Sequence, residues 1–353
     1  MAKRIVLTGG GTAGHCTPNL ALIPHLKKAG YEIAYIGSIN GIERKLVADY
    51  DIIYYAIETG KLRRYFDAKN FSDPFRVIKG YSEAARYLKE FKPNIVFSKG
   101  GYVAVPVVRA AHTLHIPCII HESDMSPGLA NKLCTGCACK ICCNFPETMK
   151  ELPEDKTILT GTPIREELFH GDKEKGLALC GFDHSRPVLM VTGGSQGAAS
   201  VNKAVRSHLE ELLQDFQIVH LCGKDKQDNL LLTKPGYRQF EYVKDEMKDL
   251  YAMSDIVISR AGANAICELL ALKKPNLLVP LPTGRGDQKL NAASFKEQGY
   301  SMVVSDDDLP DVLIEKVHEL YKEKDTYIAA MSKSSQTDST RIIMNLIEEN
   351  ALP

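Results

Sequence analysis

Three segments of the 353-residue chain place small residues, hydroxyls and ionisable groups where a chemical step could be run. The first is Gly9-Gly10-Gly11-Thr12-Ala13-Gly14-His15. Its glycines permit a tight turn and close approach of a ligand, and the N–H groups at the helix start that follows attract anions. The spacing of Gly9, Gly11 and Gly14 fits a dinucleotide fingerprint. That fingerprint wants an acidic residue about 20 positions on, at the end of the second strand. Here the strand ends Ile36-Gly37-Ser38, and the next carboxylate is Glu43. A tight turn without a ligand is the plainer alternative. His15 follows the loop directly; an imidazole, with an ordinary pKa near ~6.5, is the usual general base at neutral pH, and a purely structural histidine is its rival.

The second segment, Gly193-Gly194-Ser195-Gln196-Gly197, again joins a strand to a helix. The Ser195 hydroxyl beside several backbone donors would cradle a pyrophosphate. No Gly-Lys-Ser/Thr follows, so this is not the phosphate loop of kinases and ATPases. The third, Arg260-Ala261-Gly262-Ala263-Asn264-Ala265-Ile266-Cys267-Glu268, puts small residues at a helix N-terminus. Glu268, one turn in, reads either as an acceptor for two vicinal ribose hydroxyls or as a solvated helix glutamate.

The elements that position these segments follow from hydropathy. Short apolar runs at Ile5–Leu7, Ile33–Ile36, Ile52–Ile57, Ile95–Phe97 and Cys118–His121 predict strands, and Pro18–Ala29, Gly41–Ala48, Asp73–Phe91, Val105–Leu114 and Gly128–Leu133 predict helices. Runs that do not alternate are what a parallel sheet covered on both faces produces. The pattern pauses near Leu159–Pro163, passes a charged stretch Gly171–Gly176, and restarts. Strands are then predicted at Val188–Val191, Gln217–Leu221, Phe240–Val243, Ile256–Ser259, Asn276–Val279 and Met302–Val304. Helices are predicted from about Ala198 and over Met247–Ala252, Asn264–Leu272, Gln288–Gln298, Leu309–Tyr321 and Ser339–Glu348. The chain is therefore α/β, with two Rossmann-like, doubly wound parallel-sheet domains. The expected divisions are 1–163, 164–335, and a final segment 336–353 that crosses back to the first domain.

Composition narrows the function. Hydrophobic residues are 44% and charged residues 25%, ordinary for a globular chain. Lysine plus arginine is 44 and aspartate plus glutamate is 44, which argues against bulk nucleic-acid binding. Residues 1–160 carry 21 basic and 15 acidic side chains, so the first half is mildly cationic. No cleavable signal or spanning apolar segment is read from the sequence, so a cytoplasmic chain with reduced thiols is expected.

Taken in order, GGGTAGH at 9–15, SKGGYVAVP at 98–106, HESDMSPGLANK at 121–132, GTPIR at 161–165, GGSQGA at 193–198, SRAGANAICE at 259–268 and GDQKLNA at 286–292 resemble the MurG family, the UDP-N-acetylglucosamine transferases that complete the lipid-linked peptidoglycan precursor. The resemblance spans essentially the whole chain. It implies a GT-B fold, two domains facing a cleft, and an inverting transfer without metal or other cofactor. N-acetylglucosamine would move to the 4-hydroxyl of undecaprenyl-pyrophosphoryl-N-acetylmuramoyl-pentapeptide. By motif, Arg165 and Ser195 would meet the donor's phosphates and Val243 would frame the uracil through its backbone. Ala263, Asn264, Ala265, Ile266, Cys267 and Glu268 would wrap the nucleotide, with Glu268 on the ribose. Gln288, beside Asp287, would hold sugar hydroxyls, while Thr12, Ala13, Gly14 and Asp124 approach the donor sugar. His15 would be the general base, and Tyr102, His121 and Glu122 candidates on the acceptor side. This sequence departs from the family pattern at Ala13 (commonly glycine), in HESD (commonly HEQN) and in GTP at 161–163 (commonly GNP). A nucleotide-sugar epimerase, another GT-B transferase, or a catalytically silent sugar-nucleotide- or lipid-binding subunit are the rival readings.

Two features lie outside those motifs. Cys134, Cys137, Cys139, Cys142 and Cys143 fall in ten residues; two C-x-x-C spacings could hold zinc, but a strand over Cys139–Phe145 would turn alternate thiols to opposite faces. Residues 60–92 carry nine basic and four acidic side chains, interleaved with Tyr65, Phe66, Phe71, Phe75 and Tyr81. That surface suits anionic lipid headgroups, and with a lipid-linked acceptor it implies a peripheral protein on the cytoplasmic face of the membrane. A solvated helix with buried aromatics explains the same letters.

Overall fold

The computed structural model describes residues 3–60, 73–194, 196–283 and 286–353. The chain divides into two compact units, residues 1–165 with 338–353, and residues 166–337.

Unit 1 is built on seven strands, all parallel: β1 (Lys3–Thr8), β2 (Tyr31–Ser38), β3 (Ile53–Ile57), β4 (Ile95–Ser98), β5 (Cys118–Glu122), β6 (Lys140–Cys143) and β7 (Thr157–Leu159), in the order β3-β2-β1-β4-β5-β6-β7. Side chains alternate across the sheet, so Val6, Ala34, Ile36, Val96, Ile120 and Ile141 pack against Ala84, Leu88 and Val107 of the helices Asp73–Phe91 and Ala104–Thr113. On the other face Ile5, Leu7, Ile33, Tyr35, Phe97 and Ile119 meet Leu22, Ile23 and Leu26 of the helix Thr17–Lys28. Ile343, Leu346 and Ile347 of the helix Ser339–Asn350 complete that second layer. Each buried Val, Leu, Ile or Phe among them contributes roughly 1.5–3 kcal/mol.

Unit 2 repeats the plan with six parallel strands: β8 (Val188–Thr192), β9 (Gln217–Leu221), β10 (Tyr237–Phe240), β11 (Ile256–Ser259), β12 (Asn276–Leu278) and β13 (Met302–Val303), ordered β10-β9-β8-β11-β12-β13. In both sheets the first strand of the unit lies centrally and the order reverses there, which puts the loops after it at the switch point where α/β sheets take ligands.

Several expectations shift. The strand predicted at Phe240–Val243 is β10, three residues earlier, and Val243 lies in the loop beyond it. The charged stretch Gly171–Gly176 runs into a helix, Lys173–Cys180, because the Asp172 side chain accepts hydrogen bonds from the Glu174 and Lys175 amides and Gly181 ends it in a left-handed turn. Strand β7 and the helices Leu209–Asp215 and Lys324–Ser332 are further elements. All ten cysteines are free thiols. Cys118 and Cys134 face one core of unit 1 and Cys142 the other, and burial pushes the Cys134, Cys142 and Cys143 thiols up to about 12. Among the described residues no group of three or more His, Cys, Asp or Glu side chains is placed to hold a metal ion.

Candidate active site

In unit 1 the loop after β1 is held from beneath. Tyr35 donates its hydroxyl to the Gly9 carbonyl at 2.7 Å, and Asn19 donates to the Thr8 carbonyl at 2.9 Å. Glu43, fully buried, accepts from the Gly11 amide at 3.2 Å and from the Ser38 amide at 2.9 Å, with the Ser38 hydroxyl on the same oxygen. The first carboxylate after the second strand, on the helix Ile42–Val47, is thus turned inward to brace the glycine turn. A Cβ on Gly10 would meet that carboxylate at 2.6 Å, so a larger residue there would push Glu43 off its bonds.

Residues Gly11, Thr12, Ala13 and Gly14 are exposed and lead into a single 3-10 turn, Ala13–His15. His15 is half-buried, its ring backed by the loop after β4: a Cβ on Gly101 (φ +80°) would lie 3.2 Å from His15 Cδ2 and 2.3 Å from the Gly10 carbonyl. Tyr102 follows, and its ring lies against Gly11, where an added Cβ would reach Cε1 at 2.4 Å. Burial and the nearby Glu43 charge raise the Tyr102 hydroxyl above its ordinary pKa of 10.0. Cys16 is buried, donates to the Thr12 carbonyl at 3.3 Å, and is pushed up to about 12 by burial and Glu43.

His121 and Glu122, expected at the acceptor face, are both buried. His121 is completely buried, with Nε2 2.8 Å from the Gly161 carbonyl and Nδ1 2.6 Å from Lys99 Nζ. Burial and the Lys99 cation hold its pKa well below 6.5. Glu122 accepts from the Asp124 amide at 3.0 Å, the Gly128 amide at 2.9 Å and Asn131 Nδ2 at 2.8 Å. Both residues bond to the turn that carries half-buried Asp124, Glu122 directly and His121 through Lys99 and Ser123. Thr162, at the departure from the common Asn, is also internal: it donates to Asn144 Oδ1 at 2.9 Å, and Asn144 donates to the Ser123 carbonyl at 3.0 Å. Arg165 is the last residue of unit 1's first stretch and half-buried.

In unit 2, Ser195 lies outside the described residues. The flanking turn is locked by backbone contact: a Cβ on Gly197 would fall 1.9 Å from the Cys222 carbonyl, and one on Gly223 would fall 2.6 Å from the Gln196 carbonyl. Lys226 Nζ donates to the Gln196 carbonyl at 2.6 Å. The helix Ala263–Ala271 begins after Gly262 without a side-chain cap, and Ala263, Asn264 and Ala265 are half-buried at its N-terminus. Ile266 and Cys267 point into the core, so only their backbone is available to a ligand. Glu268 is half-buried, and the Tyr251 hydroxyl donates to its Oε2 at 3.4 Å. Arg260 is bolted inside by the Asp306 carboxylate, the Val279 carbonyl at 3.0 Å and Ser200 Oγ at 2.8 Å. Gln288 opens the helix Asp287–Glu297 and accepts from the Leu281 amide at 3.0 Å through Oε1, which directs its Nε2 donors. Val243 is buried, whereas its neighbour Tyr242 is 65% exposed, a flat aromatic face that sequence reasoning passed over although it adjoins Val243.

The arrangement thus offers an imidazole on an exposed glycine turn in one unit, and in the other a helix N-terminus, a half-buried carboxylate and an exposed aromatic ring. Residues 5–142 match the glycosyltransferase family 28 N-terminal domain and residues 188–346 the family 28 C-terminal domain. The chain is 62% identical over 352 residues, 99% of each chain, to a protein of Lachnospira eligens named UDP-N-acetylglucosamine–N-acetylmuramyl-(pentapeptide) pyrophosphoryl-undecaprenol N-acetylglucosamine transferase. A protein of the same name from Lachnoclostridium phytofermentans is 59% identical over 350 residues, covering 98% of this chain and 99% of that one. Among solved structures, Acinetobacter baumannii MurG is similar with a TM-score of 0.79 at 25% identity, covering 98% of this chain and 99% of that one. A UDP-GlcNAc 2-epimerase from Neisseria meningitidis, bound to UDP-GlcNAc, shares the fold at 15% identity and a TM-score of 0.69, covering 98% of this chain and 100% of that one.

Proposed function

The chain belongs to glycosyltransferase family 28, and from that premise we infer that it transfers N-acetylglucosamine from UDP-N-acetylglucosamine to undecaprenyl-pyrophosphoryl-N-acetylmuramoyl-pentapeptide, the MurG reaction. The observation that carries this reading is the 62% identity over 99% of both chains to a protein bearing that name. The epimerase reading rests on likeness of fold alone.

The step we propose is a single inverting displacement. The acceptor's 4-hydroxyl oxygen bonds to C1 of the donor sugar while the C1–O bond to the β-phosphate breaks and its electron pair leaves on the phosphate oxygen. The hydroxyl proton passes to His15, whose place on an exposed turn supports its role as base. The departing UDP gains negative charge. We assign its stabilisation to the amides at Ala263–Ala265, the 193–197 turn with Ser195, and Arg165, a donor set suited to a pyrophosphate without a divalent ion. Glu268, oriented by Tyr251, is assigned to the ribose hydroxyls. Val243 frames the uracil with its backbone, and the exposed Tyr242 ring supplies a face for stacking. Gln288 Nε2, with Thr12, Ala13, Gly14 and Asp124, is assigned to the sugar.

Among the described residues no helix is long and apolar enough to cross a membrane. Contact with the lipid-linked acceptor is instead assigned to the helix Asp73–Phe91, where Phe75 is 74% and Ile78 64% exposed beside Arg76 and Lys79. Tyr81, expected on that surface, packs on the core and donates to Thr113 Oγ1 at 3.0 Å. Tyr65, Phe66 and Phe71 lie outside the described residues. The decisive experiment is transfer of labelled N-acetylglucosamine from its UDP donor to a short-chain lipid-linked muramoyl-pentapeptide, with EDTA present. Labelled disaccharide-lipid is expected. Donor epimerisation with no acceptor requirement would overturn the reading.

A further inference from the structure

Lys99 stands immediately after β4, and its side chain is 0% exposed. Burying an ammonium group is expensive, and an apolar side chain of similar length would fill the space at far lower cost. What the lysine adds is direction. Its Nζ lies 2.6 Å from His121 Nδ1 and 2.5 Å from Ser123 Oγ. The other ring nitrogen of His121 faces the Gly161 carbonyl, which can only accept, so Nε2 carries the proton and Nδ1 must receive one from Lys99. Ser123 is thereby anchored at its side chain by Lys99 and at its carbonyl by Asn144. It is the residue before Asp124.

At its other end Lys99 belongs to the first glycine turn. Its amide donates to the Thr8 carbonyl at 2.9 Å, and a Cβ on Gly9 would sit 3.2 Å from Lys99 Cβ. The next residues, Gly100 and Gly101, have φ of +85° and +80°, and Gly101 backs the His15 ring. One residue therefore links the two turns: its backbone is bonded into the base of the turn that carries His15, and its side chain reaches the turn that carries Asp124.

We propose that Lys99 is a positioning residue for the transfer, holding the His15 and Asp124 turns in register through His121 and Ser123. The proposal rests on the transferase reading above. It acts through other groups, so its loss misplaces reacting partners without removing one of them. The test uses the full chain as Lys99→Met, Ser123→Ala and the double variant, each assayed for turnover, acceptor KM, UDP affinity and thermal midpoint. Lys99→Met is expected to lower kcat about tenfold or more, with UDP affinity held within about twofold, because small misplacements cost turnover. Ser123→Ala is expected to lose about threefold, and the double variant to match Lys99→Met because both break one connection. Wild-type kcat in Lys99→Met overturns the proposal, as does a double variant whose losses simply multiply. A rise in acceptor KM with kcat intact also overturns it, since that marks a binding residue. Should Lys99→Met fail to fold, unchanged kcat in Ser123→Ala is sufficient to reject it. Failure of the wild-type chain to transfer to the lipid-linked acceptor would instead reject the transferase reading.

Discussion

The two glycine turns share a grammar of strand, small residues and helix, yet they are held by opposite chemistry. The turn after β1 has a buried carboxylate behind it, and one of its amides, Gly11 N–H, is already given to Glu43. A phosphate there would meet both a spent donor and a negative charge. The turn after β8 is braced by backbone carbonyl contacts at Gly197 and Gly223 and by a lysine, Lys226, bonded to the Gln196 carbonyl. A second uncapped helix start, at Ala263, lies in the same unit. Anion binding therefore suits unit 2, and the proton acceptor proposed at His15 belongs to the turn that disfavours a phosphate. A glycine-rich loop reports a close approach; what stands behind the loop decides whether an anion is welcome.

That contrast breaks most visibly at His15. His15→Ala is expected to lower turnover by about 10²–10⁴-fold while UDP affinity, measured by calorimetry, stays at the wild-type value. Unaltered turnover would remove it as the base. The reverse pattern is expected in unit 2. Glu268→Ala should weaken UDP binding by about 1–3 kcal/mol through lost buried hydrogen bonds. Equal affinity would sink the ribose assignment. Glu43→Gln sharpens the distinction further. An amide cannot accept from both the Gly11 and Ser38 sides, so urea denaturation should show a loss of about 1–3 kcal/mol with UDP affinity unchanged. A stable variant with weaker UDP binding would mean the first turn does meet the nucleotide.

The smallest effect concerns a feature the two units share. Each buries a neutral histidine beside a cation: His121 by Lys99, and His220 by Arg206. His220 is held at about 3 by burial and by Arg206, with Nδ1 2.8 Å from the Tyr237 hydroxyl and Nε2 3.0 Å from Asn202 Oδ1. Its folded pKa lies below the unfolded value near ~6.5, so the unfolded chain takes up the proton first as pH falls. The stabilisation is complete above ~6.5 and is lost progressively toward the folded value, with a slope of up to about 1.4 kcal/mol per pH unit. Urea midpoints at neutral and mildly acidic pH should show a shallower fall in His220→Gln than in the parent. Identical slopes would mean that His220 is not the titrating group.

Strands were the most legible part of the chain, because β1, β2, β4, β5 and β8 are apolar on both faces and bounded by glycine or polar turns. Elements with little burial were harder. Strand β7 is three residues with one buried side chain, and Lys173–Cys180 is announced by its Asp172 cap more than by any apolar stripe. The site divides the same way. Motif residues on turns, such as His15 and Gly197, could be singled out from local spacing. The inward roles of Glu43 and Lys99 could not, since each depends on residues 22 to 32 positions away meeting only after the sheet is assembled. His121 and Glu122 look like surface chemistry in the string HESD and are buried because Lys99 and the Gly161 carbonyl hold the imidazole and the 124–131 segment folds over the carboxylate.

The helix Ser339–Asn350 has a consequence for how the protein is made. It covers Ile5, Leu7 and Leu26 with Ile343, Leu346 and Ile347, while Lys3 pairs with Glu348 at 2.5 Å and Leu352 donates to the Asn94 carbonyl at 3.0 Å. All of unit 2 intervenes in the chain, so the ribosome delivers this cover last. At ~5–20 residues per second, a nascent unit 1 waits on the order of 10–30 s with one face of its sheet unfinished. Unit 2 is contiguous and has no such wait. Lesions in this helix should therefore surface as insoluble or chaperone-bound protein during synthesis, before they are ever seen as a slow enzyme.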